Sequence, residues 1–327
     1  MRIDNRIAAL RDDPVSQRLA HDHLDRGKDR WLKSPHIAAL PDELEQYAGG
    51  QALSQLHILR ETVTSLSAAS QFVNDWQEHF ARLIMDEPLG HVPFKHNYSA
   101  GFATMRLFEA GRVTLSLLAY EEVEPTPPAS AAAFSDREQD EIVVAGRAEG
   151  LLYSLSDENC DAGDPERAVD TCSLRMCPSS TIKLDGAKAS RHILNVRGHL
   201  VVLQLSRAAS QPQPIREIRL SDGALVHQSS GDKRESQLAM AMAVLTELER
   251  ADAAPHCAAL SLDGPDYLRW DSIRHTLALD PVRGFSLLGQ VVKDGKDLLS
   301  DPAGALRDQL AAAHPQLLQL EAEQCPA

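Results

Sequence analysis

No stretch of this sequence approaches the roughly 18 to 20 uninterrupted apolar residues that a membrane-crossing helix needs. The opening Met1-Arg2-Ile3-Asp4 leads into no apolar segment of the secretory kind. Together these absences predict a cytoplasmic protein without a membrane partner. Cysteine is scarce: Cys160, Cys172, Cys177, Cys257 and Cys325 are the five in 327 residues. An odd number at irregular spacing argues against a disulfide framework and predicts free thiols. Cys172 and Cys177 could supply half a zinc site, but no second pair completes one. Positive charge is also short, with 33 Lys and Arg against 47 Asp and Glu and a formal net charge of -14. Such a chain repels phosphate backbones, so nucleic acid is not an expected partner. The densest basic stretch, Arg26 to Lys33, is broken by Asp29 and reads as a solvated helix face.

Catalytic signatures are missing too. There is no Walker A loop and no Rossmann glycine fingerprint. Gly284-Phe285-Ser286-Leu287-Leu288-Gly289 is one residue too long for a nucleophile elbow and sits in a helical pattern. His256 and Cys257 are adjacent, which does not by itself pair a thiol with a base. The loop Asp157-Glu158-Asn159-Cys160-Asp161-Ala162-Gly163 begins like a calcium loop. Its glycine comes one position late, and Ala168 stands where the bidentate glutamate is needed.

What is present is an ordinary globular balance, 43% hydrophobic and 24% charged, enough to bury a proper core. Leu53, Leu56, Leu59 and Val63, then Phe72, Trp76, Phe80 and Leu83, recur at helical spacing. Asp13-Pro14 and Ser34-Pro35 read as an N-cap followed by proline at the first helical position, and Gly49-Gly50 as a break. Near residue 97 the period becomes two. Phe102 to Leu107 and Val113 to Tyr120 form a hairpin pattern around Gly111. Pro125 to Ala133 reads as an exposed loop.

Further strands are expected at Glu141–Ala145, Leu151–Ser156, Cys172–Met176, Thr181–Leu184, His192–Asn195, Leu200–Leu205, Ile215–Leu220 and Ala224–Gln228. Many short strands without helical crossovers predict an antiparallel sandwich or barrel. From Arg234 the period returns to 3.6, with Leu238, Met242, Leu245 and Leu248 on one helix. Trp270, Ile273 and Leu277 follow on a second, and Phe285, Leu288 and Val292 on a third. Asp280-Pro281 and Asp301-Pro302 read as capped starts of the last helices.

The fold expected is therefore α+β: a helical N-terminal region (1–96), a central antiparallel β-sandwich (97–233) and a helical C-terminal segment (234–327). The apolar stripes predict that helices at both ends pack on the sandwich. The C-terminal helix pairs resemble HEAT repeats over about one and a half repeats, short of the three that a free-standing solenoid needs.

The run Cys177-Pro178-Ser179-Ser180-Thr181-Ile182-Lys183-Leu184-Asp185-Gly186, then His192-Ile193-Leu194-Asn195 and Leu200 to Leu205, resembles the cupin jelly roll. The family has a similar proline-containing turn, a His-x-x-x-Asn strand and a further apolar strand. The resemblance implies a cupin-like jelly roll with its site inside the sandwich. Two departures bear on a metal. His192 and Asn195 are three apart rather than four, so on a regular strand they face opposite sides. The family's first motif supplies His-x-His and Glu, yet no histidine occurs between His96 and His192.

His96, His192 and His227 are the candidate metal ligands, with His199 as a further one. Arg191, Arg197 and His199 are the candidate ligand-binding residues. Arg191, Arg197, Arg207, Arg216 and Arg219 give the later strands a positive bias that suits an anionic ligand, or else cross-strand pairing with Glu217, Asp222 and their neighbours. The sequence thus predicts a non-catalytic ligand-sensing or protein-interaction module on a degenerate cupin-like sandwich. Its partner would be a small molecule or a protein, no cofactor is expected, and a homodimer is left open. The alternative is a metal-dependent cupin-type oxygenase holding iron, nickel or manganese.

Overall fold

The computed structural model describes residues 14–122, 127–155, 169–295 and 297–324. The loop from Asp157 to Gly163, with Ala168, lies outside them, as do Asp13, Cys160 and Cys325. Two compact units divide the chain, one of residues 1–212 and 217–226, the other of 213–216 and 227–327. No helix among the described residues is long and apolar enough to cross a membrane.

In the first unit, the helical spacing becomes α1 (Val15–Leu32), α2 (Leu40–Ala48), α3 (His57–Thr64) and α4 (Leu66–Asp86). Each buries one stripe. In α1 it is Ala20, Leu24, Gly27 and Trp31, and in α4 Ala69, Phe72, Val73, Phe80 and Leu83. Ser34-Pro35 starts no helix. It lies in the turn between α1 and α2, where the Ser34 carbonyl accepts from the Ile37 and Ala38 amides at 3.0 and 2.9 Å. A proline after a polar residue suits a turn as well as a cap.

The alternating run from Phe102 becomes β2 (Phe102–Ala110), which pairs antiparallel with β1 (Lys95–Ser99) on one side and β3 (Val113–Tyr120) on the other. Then come β4 (Ala131–Phe134), β5 (Arg137–Leu155), β6 (Val169–Met176), β7 (Thr181–Asp185), β8 (Ala189–Ala208), β9 (Ile215–Arg219) and β10 (Leu225–Ser229). Part of the stretch expected as a loop, Ala131 to Ala133, is strand. A seven-stranded sheet runs β1-β2-β3-β8-β5-β6 with β7 on β5, and a three-stranded one runs β10-β9-β4. The architecture is α+β with an antiparallel β centre.

The expected short strands are fused. Glu141–Ala145 and Leu151–Leu155 belong to β5, which has 19 residues, while His192–Asn195 and Leu200–Leu205 belong to the 20-residue β8. The two pair over their full lengths, with register breaks at Val143/Ala145, Ala145/Arg147 and Glu149/Gly150. At the first two breaks the ladder turns a corner. Gly146 has φ +85° and Gly198 φ +72°, a region that costs an L side chain strain. Gly146 also packs so closely that a Cβ there would lie 1.9 Å from the His199 carbonyl oxygen.

The corner folds the ladder face to face. Arg191 on β8 is registered with Leu152 of β5, eleven residues beyond Glu141. An extended strand would separate those positions by roughly 36 Å. Yet Arg191 Nε lies 2.8 Å from Glu141 Oε2. The sheet therefore wraps into a sandwich whose interior holds Leu118, Val143, Met176, Val196, Leu200 and Val202.

Strand alternation then sorts the other face. Ile142, Leu203 and Leu205 join Trp31, Leu59, Phe72 and Phe80 in a core shared by the sheet and the N-terminal helices. Arg207 ties the same layers. Its guanidinium lies 4.0 Å from the centre of the Tyr47 ring and 2.6 Å from Glu138 Oε2. Beyond the corner, Phe134, Tyr153 and Ile218 form the core between β5 and the smaller sheet.

The second unit contains α5 (Lys233–Glu247), α6 (Ala254–Leu260), α7 (Asp266–Leu279), α8 (Pro281–Lys293), α9 (Ser300–Ala313) and α10 (Gln316–Gln324). Asp280 caps α8 as expected, accepting from the Arg283 amide at 3.1 Å. Asp301-Pro302 caps nothing: α9 begins at Ser300 and places both residues in its first turn, where Asp301 still favours the helix dipole. Ile273, Leu288, Val291 and Ala303 fill one core and Met242, Cys257 and Leu268 another.

The corner predicts two unequal glycine substitutions. Gly198→Ala adds only backbone strain, since nothing lies within 4 Å of its Cβ, and costs about 1 kcal/mol. Gly146→Ala adds a backbone collision and costs more, roughly 3 kcal/mol. Urea unfolding followed by tryptophan fluorescence reads both. Equal losses would mean that the corner relaxes freely.

Candidate functional site

Inside the sandwich four positions on three strands break the apolar pattern. Glu141 heads the run Glu141-Ile142-Val143-Val144, and Gln204 interrupts Val201-Val202-Leu203-Gln204-Leu205. Glu141 and Gln204 are cross-strand partners. Both share the inward parity of Val143 and Val202. Tyr120 ends β3 and pairs with Leu200 on the same face. Arg191 enters from the folded-over half of the ladder.

These four side chains form one network. Arg191 grips Glu141 with both prongs, Nε to Oε2 at 2.8 Å and Nη2 to Oε1 at 2.9 Å. Gln204 Nε2 donates to Glu141 Oε1 at 2.6 Å. Arg191 Nη1 and Nη2 each donate to the Tyr120 hydroxyl at 3.3 Å. Glu141 is 1% exposed and the Arg191 side chain 11%. Phe102 lies against the Tyr120 ring, centroids 4.5 Å apart.

Burial of a charge at this depth is tolerated because the partner is bidentate and the remaining lone pairs are used. Burial opposes the Arg191 charge, but the Glu141 carboxylate and the Tyr120 oxygen outweigh it and hold the guanidinium pKa above its ordinary value. Burial raises the Tyr120 phenol as well, and Arg191 offsets that only in part.

Next to the network lies a pocket of ≈ 370 Å³ along β8, lined by Tyr120 and residues 191–196. Here β8 is paired with β5, while β3 reaches β8 only as far as Leu200. The pocket offers a phenol hydroxyl and a guanidinium beside Ile193 and Val196. The Nε2 atom of His192 is buried and meets no hydrogen-bond partner among the described residues, and the register places its ring on the face opposite Arg191.

The bulge at Glu149/Gly150 changes which residues share a face. Gly150 is opposite Ile193, and Glu149 is opposite Asn195, so Leu194 is the extra residue. His192 is opposite Leu151, which has the parity of Glu149. His192 and Asn195 thus lie on the same side, where a regular strand of that spacing would separate them. Arg191 and Arg197, an even six apart, are by the same bulge on opposite sides. Arg191 points into the sandwich; Arg197 is 73% exposed and reaches Glu149 at 3.7 Å.

The remaining expected site residues are spread out. His96 is on β1 with Nδ1 2.9 Å from the Phe94 carbonyl. His199 is exposed at the corner, and His227 is exposed on β10. No group of three His, Cys, Asp or Glu that suits a metal ion occurs among the described residues. Arg219 pairs with Asp222 at 2.7 Å, a local contact into the turn after β9 rather than a cross-strand one. Cys257 is buried in α6, and burial raises its thiol pKa, which opposes a nucleophilic thiolate. Glu141, Gln204 and Tyr120 were not read from the sequence. Their signal was a polar residue at an inward position of an apolar strand, and inward becomes definable only once the register is known.

No protein-family model matches the chain, and no curated protein matches it. Solved structures do. A cupin superfamily protein from Desulfitobacterium hafniense is similar over 35% of this chain and 83% of its own, at 14% identity and a TM-score of 0.23. The capsular polysaccharide assembling protein CapF from Staphylococcus aureus is similar over 36% of this chain and 29% of its own, at 10% identity and a TM-score of 0.25. For the 7S globulin of Momordica charantia the shares are 40% and 36%, with 10% identity and a TM-score of 0.27. The chain spans about a third of the length of CapF and of the globulin. The functional reading rests on this chain's own residues.

The network predicts a non-additive stability cycle. Arg191→Met strands a buried carboxylate and costs roughly 3–5 kcal/mol. Adding Glu141→Leu removes the stranded charge and recovers most of that loss. Urea unfolding of both variants measures it. A double variant no better than the single one would show that the pair is not electrostatically isolated.

Proposed function

We propose that the sandwich is a non-catalytic ligand-binding module that senses a small molecule in the pocket between Tyr120 and the 191–196 stretch of β8. The observation that carries this reading is a pocket walled by Tyr120 and Arg191, with the guanidinium already seated on Glu141 and on the phenol. Their chemistry favours recognition over proton transfer. Tyr120 and Arg191 both have raised pKa values, so both remain donors throughout the neutral range. Arg191 is held at two atoms by Glu141, which fixes its direction before a ligand arrives.

A ligand of this pocket is a small molecule with hydrogen-bond acceptors at one end and an apolar body that meets Ile193 and Val196. A thermal-shift screen of small carboxylic acids, amides and sugars against the full chain tests the reading. A binder raises Tm, and Tyr120→Phe weakens it by about tenfold, the loss of one buried hydrogen bond. Stoichiometric iron, nickel or manganese in protein purified without chelator, lost on His192→Ala, would instead support the metal-dependent enzyme.

A further inference from the structure

We propose a second, separate site: a pocket on the outer face of the sandwich that binds a phosphate-type dianion through Arg147, Arg175 and Arg197. The three come from adjacent strands, and the register puts them together. Arg147 is directly opposite Arg197 across β5 and β8. Two positions along β5, Glu149 is opposite Arg175 of β6 on one side and Asn195 of β8 on the other. All five line a pocket of ≈ 370 Å³.

Charge is the argument for an anion. Like charges at directly opposed cross-strand positions destabilise a sheet. Here two arginines face each other and a third lies one strand away, in a chain whose formal net charge is -14. Glu149 is the one carboxylate among the described residues that lines the pocket, and it reaches Arg197 only at 3.7 Å. Arg147 and Arg175 make no ion pair among the described residues, and with Glu149 counted the pocket keeps an excess of two positive charges.

The backbone works to produce this arrangement. The corner glycines Gly146 and Gly198 immediately precede Arg147 and follow Arg197 in the ladder, both with positive φ. The bulge at Leu194 then turns Arg197 outward, away from the face of Arg191. Bulges re-aim side chains in this way. Three planar guanidinium forks and an amide suit a tetrahedral oxyanion with three free oxygens, whereas a single carboxylate occupies one fork. The ligand class is therefore a phosphate ester or pyrophosphate.

Calorimetric titration of the full chain with sodium pyrophosphate, against sodium chloride at equal ionic strength, tests the site. One saturable site per chain is expected. Arg147→Gln and Arg175→Gln, both at exposed positions, each weaken it by about tenfold, and Glu149→Gln strengthens it by a similar factor. Arg60→Gln removes the same charge from the exposed face of α3 and leaves binding unchanged. A titration no different from chloride overturns the proposal. So does an Arg60→Gln loss equal to that of Arg175→Gln, which would reduce the effect to net charge. Asn195 lines both pockets and is left intact, so the Tyr120→Phe result and this one succeed or fail independently.

Discussion

The ion pair between Glu141 and Arg191 is the constraint on which the sandwich depends. Two positions that an extended ladder would hold far apart meet at 2.8 Å in its interior. That contact requires the β5–β8 ladder to fold over, and folding over requires the glycine corner. Isolated, either charge would be costly at this depth. Together, with Gln204 donating to the carboxylate and the Tyr120 hydroxyl accepting from the guanidinium, they specify one way of closing the sheet. A hydrophobic pair of similar volume would pack as well but would not demand that register.

Closure divides the sheet into surfaces with different duties. One face of its first half is spent on the helices, through Ile142, Leu203 and Leu205. The interior is spent on Val143, Val202 and the polar network. Beyond the corner the outward face is covered near Tyr153 and left open at Arg147, Glu149 and Arg197. Both candidate pockets therefore border the same short stretch of β8, on opposite sides. A strand with regular alternation would have merged their arginines into a single face.

Much of this was legible beforehand. The helical stripes of the first hundred residues, the β2–β3 hairpin and the Asp280 cap are local features, set by period and turn chemistry. Errors arose where tertiary structure overrides a local signal. Bends at Gly146 and Gly198 looked like strand ends because glycine punctuates both. Asp301-Pro302 looked like a cap because the same residues also suit a first turn. The candidate site was half legible. Arg191 and His192 could be named from their types and place, but Glu141 and Gln204 could not.

By itself the sequence determined the α+β order, the antiparallel pattern and the acidic balance, because these follow from residue periodicity and charge along the chain. It also determined that no histidine lies between His96 and His192. Only the tertiary structure decided which residues share a face. One extra residue at Leu194 inverts the alternation of β8, and no periodicity announces it, since a bulge is defined by the partner strand that it fails to match. That one residue sends Arg191 inward to Glu141 and Arg197 outward to Glu149.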